Sequence, residues 1–295
     1  TEGISINNSI IKNYSGIGVY VWAPASTSVS TNITDTNILD NMEEGIYLST
    51  STGGLVNFSM DGGTISANGR SGIIGVTSNG GLNVTLKDLL VDANGTNPAS
   101  YPHEQGVHVD TLNANLMLEN LTITNHPGVA IYWKGSSSIS AKNIIASNNT
   151  AGNELKVPGG AITTGQEWDL GDADIPVHLT DSITVESGGV LSIAPGTSLG
   201  FDATKQLFVK SGSALYALGT ADEPITFTAS PGASAWYGLK NYLGTMILRH
   251  CEVSYADKGL TLGATSLEPP TNSIVQNCKI HHNNRGFSVY APTSF

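Results

Sequence analysis

Charge is scarce in this 295-residue sequence: charged side chains are 13% of it, 13 Lys and Arg against 24 Asp and Glu, a formal net charge of -11. An acidic chain repels a phosphate backbone, which argues against nucleic-acid binding. It repels acidic polysaccharide too, unless a basic patch or a bound cation intervenes. Cysteine is nearly absent. Cys251 and Cys278 are the only two, and neither has metal-ligand spacing. CxxC, HExxH, Walker and Gly-x-Ser-x-Gly motifs are missing, so the common zinc, redox, nucleotide and serine-hydrolase signatures are not available. No apolar run approaches the roughly 20 residues of a membrane helix, so no membrane insertion is expected within this segment. Good helix formers never run together, while Gly, Ser, Thr and Asn abound, which points to strands and turns. "TEGISINNSI" is not a signal peptide and opens as if inside a strand. "GFSVYAPTSF" stops just after one, so the chain reads as a mature or excised piece of something longer.

What the sequence does hold is a repeat. "NNSIIKNYSGIGVYV" (7–21), "DTNILDNMEEGIYLS" (35–49), "DGGTISANGRSGIIGV" (61–76), "LENLTITNHPGVAIY" (118–132), "RHCEVSYADKGLTLG" (249–263) and "QNCKIHHNNRGFSVY" (276–290) share one pattern. Each has a short apolar strand, a polar turn usually carrying Asn, a Gly, and a second strand. The glycines are Gly16, Gly45, Gly72, Gly106, Gly128, Gly152, Gly259 and Gly286. Residues one and three after the Gly are apolar in all of these but the Gly152 copy, the alternation of a strand with one buried face. Recurrence every 22–34 residues, with a stretch of 107 spanning several unmarked periods, predicts coils of a solenoid that stack about 4.8 Å apart through parallel strands. Asn13, Asn41, Asn68, Asn125, Asn149 and Asn283 are expected to form a structural ladder through the turns.

This pattern is similar to the right-handed parallel β-helix repeat of pectate-lyase-like proteins and of many bacterial and archaeal surface proteins, and the resemblance covers nearly the whole chain. Residues 168–239 resemble a second β-helix pattern of large secreted and surface proteins, through Trp168, "APGTSLGF", "GTADEPITFT", Trp236 and Gly238. In those proteins the segment is scaffold. The resemblance implies an all-β fold of roughly ten coils. Residues 1–157 are expected to hold the N-terminal coils, 158–176 a loop or seam, and 177–295 the C-terminal coils on the same axis. Cys251 and Cys278 each lie eight residues before a repeat Gly, so they should stack, either as a disulfide or as paired thiols.

The densest chemistry lies in "YPHEQGVHVD" (101–110), which ends a turn longer than its counterparts. In register, Val107 and Val109 point inward and His108 and Asp110 outward. His103, Glu104, His108, Asp110, His126, Tyr132 and Lys134 would line one patch across two coils. Such residues suit a lyase or epimerase on uronate polymers, which needs a base, an acid and a group that neutralises the carboxylate. "YPHE" resembles the Asp-Pro-His motif of mannuronan epimerases, with Tyr101 where that motif has Asp. The Asp clusters of polygalacturonase-like hydrolases and a basic pair like that of pectate lyases are missing. Asp88, Asp92 and Asp110 are candidate Ca²⁺ ligands, and "HHNN" (281–284) is a candidate metal motif. No other cofactor is indicated. Glu43, Arg70 and Glu104 read as a solvated charge ladder. Sequons at Asn7, Asn13, Asn32, Asn57, Asn83, Asn94, Asn120 and Asn148 are candidate glycosylation sites.

The sequence favours a non-enzymatic module of an extracellular or cell-surface protein: a rigid stalk, adhesin or assembly subunit. Its partners would be polysaccharide or other copies of itself. Both ends lack an amphipathic cap, so they are expected to continue into further chain or pair with another subunit. The alternative is a polysaccharide lyase, epimerase or hydrolase using the groove around residues 101–134.

Overall fold

The computed structural model describes residues 3–97, 104–263 and 272–290. These are all-β, with no helix, and their parallel sheets stack as a β-solenoid of about ten turns. By compactness the chain divides into two units. One comprises Thr1–Lys134, Ile139–Lys156 and Ala173–Ile175, the other Gly135–Ser138, Val157–Asp172 and Pro176–Phe295.

The first unit has two parallel sheets. One runs through Gly3–Asn7, Ser28–Leu39, Leu55–Ser66, Gly81–Lys87, Ala114–Thr124 and Ser138–Ser147. The other runs through Val19–Ala23, Ile46–Thr50, Ile73–Thr77, Val107–Asp110, Val129–Trp133 and Gly152–Val157. Alternation places like on like. Ile38 pairs Ile65, and Val19, Ile46, Ile73, Val107 and Ile131 form one continuous column. All five are at most 8% exposed. No coil buries its apolar edge alone; the next coil covers it.

The coil bends at two positions with left-handed backbone, five residues apart. They are Asn8 and Asn13, Asp35 and Asp40, Gly62 and Ala67, Asp88 and Ala93, Asn120 and Asn125, and Asn143 and Asn148, with φ between 45° and 74°. Asn and Asp tolerate this region better than other side chains, which is why they recur at these corners. In the second unit His250 and Tyr255, then Asn277 and His282, repeat the spacing.

From the second coil of the first unit onward, the residue after the second corner (Asn41, Asn68, Asn94, His126, Asn149) is buried in the core and forms the ladder, whereas Tyr14 of the first coil is exposed. Asn41 N–H and Nδ2–H both donate to Asn68 Oδ1, at 3.1 and 2.9 Å. Asn68 does the same to Asn94 Oδ1, at 3.1 and 2.7 Å. Asn68 Nδ2 also donates to Ile38 O at 3.1 Å, and Asn94 Nδ2 to Ile65 O at 2.9 Å. Beside this ladder Gly45 has no room for a side chain. A Cβ on Gly45 would lie 2.6 Å from Ile65 Cγ2, 2.7 Å from Gly72 O and 2.9 Å from Asn68 Nδ2.

Two expected ladder members are corrected. Asn13 and Asn125 sit one residue early, on the exposed corners, followed by the exposed Tyr14 and the buried His126; Asn94, absent from the expected set, holds the buried position of its own coil. The glycine column is corrected likewise. Val19 pairs Ile46 and Val107 pairs Ile131, so Gly18 and Ala130, not Gly16 and Gly128, align with Gly45 and Gly106. The register slips between Val129 and Ile131, around the column member that carries a Cβ.

The second unit has three parallel sheets. The first holds Gly165–Asp169, Val190–Ile193, Ala214–Leu218, Thr245–Arg249 and Ser273–Gln276. The second holds Val177–Leu179, Ser198–Phe201, Ile225–Ala229, Cys251–Ser254 and Lys279–His281. The third holds Gly160–Ile162, Ile183–Val185, Gln206–Val209, Gly238–Asn241, Lys258–Leu262 and Arg285–Val289. The expected loop or seam at 158–176 therefore contains two paired strands. Trp168 lies near the end of its strand, fully buried. Phe201 stacks on Trp236 at 4.3 Å, and Trp236 Nε1 donates to Ser254 O at 2.8 Å.

Asn68→Ala strips a buried acceptor from two donors, a cost of about 2–4 kcal/mol; Gly45→Ala destabilises through its Cβ contacts. Asn57→Ala, on the outer face, changes stability by less than about 1 kcal/mol. Urea unfolding of the three variants checks the order.

Candidate functional site

Strand Val107–Asp110 lies between Ile73–Val76 and Ile131–Trp133. Val107 and Val109 enter the core, as the alternation requires. His108 is on the outer face yet only 5% exposed. Tyr132 of the next coil stacks on its ring, centroids 4.5 Å apart and planes at 6°, and Nδ1 lies 3.1 Å from Gln105 Oε1. His108 points outward as expected, but Tyr132 covers it from solvent. In-register stacking of coils about 4.8 Å apart brings a neighbouring aromatic ring directly over it.

Asp110 and Lys134 meet one coil apart, Oδ1 to Nζ at 3.0 Å. Both are more than a third exposed, so the pair contributes little to stability. Tyr132 is half-buried and its phenol is pushed above the ordinary range, by burial first and by the Asp110 charge second. Glu104 lies in the turn, half-buried, with its carbonyl accepting from Gly128 N–H at 3.0 Å. His103 and Tyr101 lie outside the described residues. Arg70 bridges Glu43 at 3.3 Å and the buried Glu44 at 3.4 Å, so Glu44, which the sequence reading omitted, joins the charge ladder.

His126 does not join this patch. It is 1% exposed and takes the ladder position of its coil. Its backbone N–H donates to Asn149 Oδ1 at 3.0 Å. Nε2 lies 3.1 Å from Val91 O, where the other coils place an Asn Nδ2, and Nδ1 lies 3.2 Å from Asn94 O. A neutral imidazole has one N–H for these two carbonyls. Burial lowers its pKa, opposed by the Val91 and Asn94 carbonyls and by Asp92. The structure thus brings His108, Asp110, Tyr132 and Lys134 together, leaves Glu104 in the turn, and removes His126 to the core.

The candidate metal ligands do not converge. Asp88 Oδ1 accepts from Asn120 Nδ2 at 2.7 Å and Asp92 Oδ1 from Asn125 Nδ2 at 2.7 Å, while Asp110 holds Lys134. In "HHNN", His281 Nε2 contacts Glu252 Oε1 at 2.7 Å, Nδ1 of His281 faces Nδ1 of His282, and His282 stacks on Tyr255. Among the described residues no group of three or more His, Cys, Asp or Glu is arranged to hold a metal.

Cys251 and Cys278 stack as their spacing requires, both as free thiols. Cys251 N–H points at Cys278 Sγ at 3.4 Å. The hydrogen bond from the Cys251 thiol holds Cys278 down at about 6; the same bond and burial push Cys251 up.

Of the sequon asparagines, Asn94 is fully buried in the ladder, which removes it as an acceptor in the folded chain. Asn57 and Asn83 join an outer amide ladder with Asn115, at 2.8 and 2.9 Å. Asn120 lies between Asp88 and Asn143, and Asn7 accepts from Thr34 Oγ1. Asn13, Asn32 and Asn148 are exposed.

His126→Asn restores the amide that the other coils use and is expected to match or exceed the wild type in stability, whereas His126→Ala loses about 1–3 kcal/mol. The folded-state pKa lies below the unfolded value of about 6.5. Its contribution is therefore full above about pH 6.5 and is lost as pH falls from there through the folded pKa. Thermal unfolding from pH 7 to 5 should show that loss in the wild type and not in His126→Asn.

Searches of family models, curated proteins and solved structures returned no match to this chain.

Proposed function

We propose that this chain is a structural module of an extracellular or cell-surface protein: a rigid, pectate-lyase-like β-helix that serves as a stalk, adhesin or assembly subunit. One observation carries the reading. The side chains that would do chemistry near residues 104–134 are engaged in holding coil to coil. His126 replaces an amide in the core ladder, His108 lies under Tyr132, and Asp110 and Lys134 neutralise each other. A general base must reach its substrate's proton, and of the three candidate histidines His108 and His126 are at most 5% exposed. The partners on this reading are further copies of the chain or a polysaccharide surface, and the sequons on exposed corners suit a glycosylated surface protein.

The reading is tested by incubating the chain with uronate and neutral polysaccharides and assaying unsaturated or reducing-end products. No product above background is expected, from the wild type or from Glu104→Ala and His108→Ala. Turnover that disappears in either variant would establish the enzyme instead.

A further inference from the structure

The third sheet of the second unit carries a cleft of about 650 Å³, within the usual size of small-molecule sites. Its walls include Tyr237, Tyr242, Tyr290, Lys240, Lys258 and Asp257. Backbone bonds fix the tyrosines at strand ends. Tyr237 N–H donates to Lys205 O at 2.7 Å, Tyr242 N–H to Val209 O at 2.7 Å and Tyr290 N–H to Leu262 O at 2.9 Å. Tyr237 precedes strand Gly238–Asn241 and Tyr242 follows it, so the two stand roughly 16 Å apart at about 3.3 Å per residue. All three tyrosines are 38–51% exposed.

Charge on this face runs against the rest of the chain. Lys205, Lys210, Lys240, Lys258 and Arg285 lie on or beside its strands, a large share of the 13 cations in a chain of net charge -11. Lys205 and Lys210 are held by Asp181 and Glu186, at 3.1 and 2.7 Å. Lys240, Lys258 and Arg285 have no carboxylate within 4 Å among the described residues; Lys240 Nζ lies 4.9 Å over the Phe208 ring. Asp257 is the one acid among the lining residues, and Gln206 and Thr261 add neutral hydrogen-bonding groups.

The geometry points to a binding site for an acidic oligosaccharide on the outer face of this sheet. Pyranose rings present flat C–H faces to exposed aromatic rings, and Tyr offers a hydroxyl at the rim. Lys240 and Lys258 meet a carboxylate or sulfate. Asp257, Gln206 and Thr261 exchange hydrogen bonds with ring hydroxyls. Asp257 also disfavours a densely phosphorylated ligand, which would bring repeated negative charge against it and few hydroxyls to satisfy it. The site goes beyond the structural reading, giving the module a surface that holds an acidic glycan without acting on it.

Calorimetric titration of the whole chain with trisaccharides of glucuronate and of galacturonate, their methyl esters and a trinucleotide tests this. Binding of an acidic trisaccharide is expected, weakening as ionic strength rises. Tyr242→Ala and Lys258→Gln should each weaken it about tenfold or more. The methyl ester should bind more weakly and not respond to Lys258→Gln. The inference is overturned by no heat with either acidic trisaccharide, by tighter binding of the trinucleotide, or by binding that survives both variants and disappears in Glu104→Ala. Circular dichroism of both variants should match the wild type, since both side chains are at the surface.

Discussion

One buried hydrogen bond, repeated from coil to coil, sets the terms for the first unit. An amide just after the second corner accepts the backbone N–H of the preceding coil and donates to a carbonyl three residues before that coil's own ladder position. Left unmade, each corner would bury polar backbone without a partner, at a cost comparable to a whole core side chain. The same requirement dictates the glycines, because a Cβ at Gly18, Gly45 or Gly72 would collide with the neighbouring amide and carbonyl. The second unit repeats the device where Ala256 N–H donates to Asn283 Oδ1 at 2.7 Å and Asn283 Nδ2 to Val253 O at 3.0 Å. Architecture and sequence pattern are one constraint seen twice.

Function has to be sought in what this constraint leaves over. Near residues 104–134 it leaves little, because adjacent coils lie close enough for each outward side chain to meet its neighbour. Tyr132 caps His108, and Lys134 answers Asp110. On the third sheet of the second unit the same spacing has another result. Phe208, Lys240, Thr261 and Ser288 succeed one another on the outer face, none of them an opposite charge to Lys240. The cation stays available, and tyrosines stand at the strand ends beside it.

The solenoid was legible in the sequence because alternation of period two and the recurring Gly each have a single physical cause. Register was legible less well. Gly16 and Gly18 both lie in "SGIG", and only the pairing of Val19 with Ile46 decides between them. His126 was misread because a histidine beside Tyr132 and Lys134 in sequence suggests chemistry, while its real neighbours are the carbonyls of Val91 and Asn94, more than thirty residues earlier. A signal was present: His126 follows the corner residue Asn125, as Asn68 follows Ala67 and Asn94 follows Ala93. The tyrosine cleft left no such mark, since Tyr237 and Tyr242 flank one strand and only strand pairing brings Lys258 and Tyr290, distant in sequence, to the same cleft.

Amide hydrogen exchange measured residue by residue tests the central claim directly. If the ladder is a core interaction, the N–H groups of Asn41, Asn68 and His126, which donate to side-chain oxygens at corners, exchange as slowly as those of Ile46 and Ile73 in the adjacent strands. Exchange at the rate of exposed turns, with the strand amides still protected, would contradict it.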